Sequence, residues 1–155
     1  ITLNGTARID ADKQAEKFYE SKTWPFKRLL QARLLIEGGY YSEAFTILIG
    51  IKNETLTNPA DKAEHFFRLG RVCEESENYS KALEYYQSTI NTGKDRHEQF
   101  AARAALHMGK IFEQRNQLLQ AKSSYQACLD MPEHDFQNSI DQQAKAGINR
   151  IEGGN

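Results

Sequence analysis

His97, Glu98, Gln99, Phe100 and Ala101 begin as a zinc-protease helix begins, with an imidazole followed by a glutamate able to act as general base. The fifth position should supply the second imidazole, and it is alanine, so the ligand pair is incomplete. The four histidines, His65, His97, His107 and His134, share no ligand spacing on one helix face. Cys73 and Cys128 fall in apolar helical stripes without a C-x-x-C spacing, which reads as core packing rather than a disulfide or metal set. Glu74, Glu75 and Glu77 read as a charged helix end in solvent, not an acid–base pair. The chain has no G-x-G-x-x-G, G-x-S-x-G or phosphate-loop pattern, and Gly38-Gly39 reads as a helix stop. These residues predict no catalysis, no cofactor and no metal. What remains is recognition chemistry, and the elements decide which side chains share a face.

The apolar residues recur at helical spacing throughout, and no strand alternation persists, so the predicted class is all-α. Thr23-Trp24-Pro25 offers a cap and a first-turn proline for a helix carrying Leu29, Leu30, Leu34 and Leu35. Ser42 can cap a second helix with Phe45, Ile47, Leu48 and Ile51. Asn58-Pro59 starts a third, with Phe66, Leu69, Gly70 and Cys73, and Ser80 can cap a fourth, with Leu83, Tyr86 and Ile90. An alanine-rich fifth helix spans about 98–115, and a sixth spans 118–129. Asp135 can cap a last one, whose single apolar stripe is Phe136, Ile140, Ala144, Gly147 or Ile148, and Ile151. Such a stripe with a polar back suits a terminal capping helix. Residues 1–22 read as a lead-in, helical over Asp10–Ser21, that could be the tail of a preceding unit.

A longer period overlies these helices. A small residue is followed twelve positions later by alanine at Ala32/Ala44, Gly70/Ala82 and Gly109/Ala121, at intervals of 38 and 39 residues, and Gly147 stands 38 after Gly109. Self-similarity at this period signals stacked repeats. The units are 24–57, 58–95 and 96–133, followed by the capping helix 135–152, within a repeat region of 23–152.

The repeated residues resemble the tetratricopeptide (TPR) family pattern W-x2-L-G-x2-Y, A-x3-F, P. The second unit reads Phe66-x2-Leu69-Gly70-x2-Cys73 and Ala82-x3-Tyr86. The third reads Ala105-x2-Met108-Gly109-x2-Phe112 and Ala121-x3-Tyr125, with Pro132 behind. The first is degenerate, with Gln31-Ala32, Leu35, Ala44 and Leu48. The resemblance implies a right-handed α-solenoid of helical hairpins. The family period is 34 residues, so the surplus is about one turn of about 3.6 residues. It is expected to lengthen the first helix of each hairpin at its N-terminus.

In that family the first helices line a concave surface. Transferred to this chain, the surface would carry rows Arg33/Arg71/Lys110, Leu29/Phe67/Leu106, Glu37/Glu75/Gln114 and Leu30/Arg68/His107/Lys145. The candidate partner-binding residues are therefore Arg33, Arg71, Lys110, Leu29, Phe67, Leu106, Arg68 and His107. A basic ladder beside an apolar strip would suit an acidic or C-terminal peptide, with arginine holding carboxylates in bidentate fashion. Arg33–Glu37 and Arg71–Glu75 are also i,i+4 pairs that could neutralise each other on a solvated face. Leu29, Phe67 and Leu106 stand where a carboxylate-clamp lysine would be sought, which disfavours recognition of that kind.

The whole chain has 155 residues and a net charge of −1, with 39% hydrophobic and 26% charged residues. That balance provides no basic field for nucleic acid, and no run approaches the roughly 20 apolar residues of a membrane span. Ile1 in first position reads as a piece of a longer protein or as a processed product, so compartment and targeting stay open. The predicted function is a non-catalytic scaffold for a protein or peptide partner. A structural or oligomerisation spacer and an accessory domain of an upstream enzyme are the alternatives. A monomer is favoured over self-assembly.

Overall fold

The computed structural model describes residues 27–154, which are helical and contain no strand. The first helix, α1, runs through residues 27–37, followed by α2 (Tyr41–Ile49) and a short 3-10 turn at Asn53–Thr55. Then come α3 (Pro59–Glu75), α4 (Tyr79–Gly93), α5 (Phe100–Gln114), α6 (Leu118–Leu129) and α7 (Gln137–Gly153). The expectations for residues 1–26, including the Thr23-Trp24-Pro25 start and the Asp10–Ser21 helix, lie outside the described residues.

One turn is used three times, to join α1 to α2, α3 to α4 and α5 to α6. Gly39, Glu77 and Asn116 take positive φ (81, 60 and 58°). The next amide in each case, Tyr40, Asn78 and Gln117, donates back to the carbonyl of Leu35, Cys73 and Phe112 at 2.8 Å. This left-handed reversal satisfies carbonyls at the end of one helix and delivers the chain directly into the next.

The reversal also corrects the expected caps. Ser42 and Ser80 are the second residues of α2 and α4, not their caps. Tyr40 precedes α2 without a side-chain cap, and the Asn78 carboxamide oxygen accepts from Lys81 N at 3.4 Å. Asp135 does not cap α7. Phe136 occupies that place in a left-handed conformation and is 71% exposed, so it leaves the buried stripe, which is Ile140, Ala144 and Gly147. The Asn58-Pro59 start is as read: Asn58 Oδ1 accepts from Ala60 N at 2.9 Å, with proline in the first turn. The surplus length is distributed unevenly. α3 begins four residues before Ala63, but α5 begins only at Phe100, and the extra residues of that interval lie in a longer α4 and the connection 94–99.

The core is a series of three clusters, each drawing on three consecutive helices. The first centres on Leu29, Ala32, Ile36, Ala44, Leu48 and Leu69. The second centres on Phe67, Ala82, Tyr86, Phe100 and Ala104, and the third on Leu106, Ala121, Tyr125, Cys128, Ile140 and Ala144. Besides these sequential contacts, α3 touches α5 and α5 touches α7. Three arginine-bearing helices, α1, α3 and α5, thereby present side chains to one cleft.

Candidate binding cleft

The cleft has a volume of about 490 Å³ and is walled by Arg33 and Glu37 from α1, Glu64, Arg68 and Arg71 from α3, and Arg103 from α5. Four arginines thus face two glutamates. Arg33 Nε meets Glu37 Oε1 at 3.0 Å, but both side chains are half exposed, so the pair holds little of the arginine's charge. Arg68 is buried and donates through Nε and Nη2 to Glu64 Oε1 at 3.2 and 3.1 Å. Arg71 reaches Glu74 Oε2 at 3.1 Å and Glu75 Oε1 at 2.8 Å.

Arg103 is different. Among the described residues no carboxylate lies within ion-pair distance of its guanidinium. It stands over the face of Phe67, 5.2 Å from the ring centroid, while Arg68 stands at 5.7 Å from the same ring. Burial, then the charges of Arg68 and Arg71, push its pKa down from the ordinary arginine value. A guanidinium does not deprotonate in a protein. The shift therefore expresses first the cost of burying the charge and then repulsion from its neighbours, both of which a bound anion would offset.

Behind this cleft lies a partly buried polar knot. Glu74 accepts from the Tyr86 hydroxyl, from Arg71, and from His107 Nδ1, which lies 2.9 Å from Oε2. The His107 ring stacks on Tyr86 at 5.5 Å and meets the edge of Phe67 at 5.9 Å. Burial lowers the His107 pKa and outweighs the opposing pull of Glu74, so the imidazole is neutral at pH 7 and donates through Nδ1. Burial acts to raise the Glu74 carboxyl, but the His107, Tyr86 and Arg71 donors prevail and hold it below the usual range. A matching knot follows 39 residues on. There the Tyr125 hydroxyl donates to Glu113 Oε2 at 2.5 Å, and Arg150 donates to both Glu113 oxygens at 2.9 and 3.0 Å.

Arg33, Arg68 and Arg71 converge as candidates from the sequence, and Glu37 joins them. The apolar strip does not form. Leu29, Phe67 and Leu106 are 1, 0 and 3% exposed, because each lies three positions before the small residue that faces the partner helix. Phe67 still touches the site by offering its ring face to two arginines. Lys110 turns away to donate to Gln143 Oε1 of α7 at 3.0 Å, and His107 is occupied by Glu74. Glu75 and Gln114 line a separate acidic recess with Glu74 and Glu77. Arg103 was not among the predicted residues. Its signal is a reversal of charge in register, since Arg103 stands 39 residues after Glu64.

No family model, curated protein or solved structure matches this chain.

Proposed function

We propose that this chain is a non-catalytic binding module of TPR-like helical hairpins, closed by α7, and that its arginine cleft grips an acidic segment of a partner protein. The recurrence of the same helix–turn–helix reversal and the same glycine–tyrosine contact supports the repeat reading; a right-handed solenoid is the arrangement it implies. The uncompensated charge of Arg103 carries the binding reading. A carboxylate of the ligand would complete the ion pair that Arg103 lacks, in a cleft where Arg68 and Arg71 already repel it. An extended acidic peptide fits better than a small anion because the arginines come from three helices.

The test is fluorescence anisotropy with a labelled glycine/serine peptide carrying a run of glutamates, titrated at several salt concentrations. Binding should weaken as salt rises, since part of the attraction is screened. Arg103→Gln should lose about tenfold to a hundredfold in affinity, the cost of one charge-assisted hydrogen-bonded contact. Unchanged affinity in that variant, or no binding at low salt, would refute the assignment.

A further inference from the structure

The cleft does not end at Arg103. On the other side of that side chain lies a second slot of about 230 Å³, walled by Arg103, Phe136, Ile140, Ser139 and Gln143. Arg103 and Phe136 line both spaces, so one arginine and one aromatic ring form the partition between them. The slot is smaller than the roughly 300–1,000 Å³ of a site that encloses a whole small ligand, and suits one side chain. Its floor, Ile140, is 4% exposed. The polar groups of Gln143 are already engaged, Oε1 by Lys110 and Nε2 with the Ser139 carbonyl at 3.4 Å, so its stem is what it offers a visitor.

Phe136 itself is unusual on two counts. It is an aromatic residue in the left-handed region, at φ 58° and ψ 22°, where a bulky side chain is an outlier. Its ring is 71% exposed although Ile140, one turn on, is buried. The backbone is fixed there, because the adjacent Asp135 amide donates to the His97 carbonyl at 2.8 Å. Strained residues of this kind persist where surrounding structure holds them, and they concentrate at ligand clamps.

We infer that the ligand is bipartite: a peptide whose acidic residue pairs with Arg103 and whose neighbouring aliphatic or aromatic residue enters the Phe136–Ile140 slot. This rests on the acidic-segment reading above and adds a specificity to it. The shared wall sets the spacing, because a carboxylate on one face of Arg103 and an apolar side chain against Phe136 must come from adjacent or nearly adjacent residues.

Two labelled glycine/serine peptides with the same run of glutamates separate the claims, one with leucine beside a glutamate and one with serine there. The leucine peptide should bind about tenfold more tightly, as expected for burying part of one apolar side chain. Phe136→Asn should abolish that preference. Asparagine tolerates the left-handed backbone, and a thermal melt verifies that the variant folds. Leu119→Ser removes an apolar side chain that is 85% exposed and lies elsewhere, and should retain the preference. Equal affinity for the two peptides, or a preference surviving in Phe136→Asn, overturns the bipartite ligand and leaves the acidic cleft standing. Failure of both peptides to bind overturns the two together.

Discussion

Tyr125 lies between two glycines. A Cβ on Gly109 would come within 2.4 Å of one edge of its ring, and a Cβ on Gly147 within 2.4 Å of the other. Tyr86 faces Gly70 in the same way, at 2.5 Å. Gly70 and Gly109 are therefore each a seat for an aromatic ring sixteen residues later, and the glutamate four residues after each of them receives the tyrosine hydroxyl. The first unit keeps the geometry and drops the polarity: Ala32, Ile36 and Leu48 stand in those places, all buried. Gly109→Ala should destabilise the protein by about 1–3 kcal/mol, the usual cost of overpacking. At about 2–4 °C per kcal/mol for a chain of this size, calorimetry would resolve the fall in Tm. Gly153→Ala is the control, since nothing lies within 4 Å of the added Cβ. An unshifted melt for Gly109→Ala would mean that the ring can move aside. These small residues were legible from spacing alone. The glutamate–tyrosine bond was not, because its partners are twelve residues apart on different helices and its formation depends on both being drawn into one core.

The elements show why some boundaries were readable and others not. Asn58-Pro59 announces α3 because a cap and a first-turn proline are local chemistry. The starts of α2 and α4 are set instead by the preceding reversal, which inserts the chain into the next helix one residue before the serine that looked like a cap. Only the first reversal uses glycine at its left-handed position; Glu77 and Asn116 do the same work with side chains. For an L-residue other than glycine or asparagine that conformation costs about 1–2 kcal/mol. Glu77→Gly should relieve this cost, less about 0.5–1 kcal/mol for the greater freedom of glycine in the unfolded chain. The net gain should appear as a higher denaturant midpoint at unchanged slope. Asn116→Gly should gain less, because asparagine already tolerates the region. A Glu77→Gly variant that unfolds earlier than the parent would show that the glutamate side chain has a stabilising role of its own. The arginine cleft follows the same division. Arg33, Arg68 and Arg71 were visible as a register on first helices, whereas Arg103 shows itself as unpaired only once α5 is packed beside α3.

At the scale of the whole molecule, the buried His65 and the partly buried His107 sit at the seams between successive cores, and both bear on stability in acid. His65 joins α2 to α3: its Nε2 donates to the Leu48 carbonyl at 2.8 Å, and its Nδ1 accepts from Asn53 Nδ2 at 3.0 Å. Protonation would turn Nδ1 into a donor facing another donor. Rotating the Asn53 amide would not repair this, because the same Nδ2 also donates to the Lys62 carbonyl at 3.3 Å. Burial accordingly lowers the His65 pKa, against the weaker upward pulls of its Leu48 bond and the Glu54 charge. His107, facing Glu74 and Arg71 from α3, the Tyr86 ring from α4 and Lys110 on its own helix, is lowered for the same reason. A histidine whose folded pKa lies below its unfolded value is held neutral by folding. Its stabilisation is complete above an ordinary value of about 6.5 and declines as pH falls below that. Glu74 and Glu113, held low by their donors, act in a lower window: their contribution is present above the ordinary carboxylate value and is lost as pH falls through their depressed ones. The expected outcome is a stability, read as Tm, that drops in two stages, the first beginning near pH 6.5 and costing at most about 1.4 kcal/mol of unfolding free energy per pH unit for each histidine. His65→Gln, which can still donate to Leu48, should flatten the first stage, and hydrogen exchange should show the α2–α3 junction opening before α5–α7. A Tm constant from about pH 7 to pH 5 would mean that neither seam depends on a neutral imidazole.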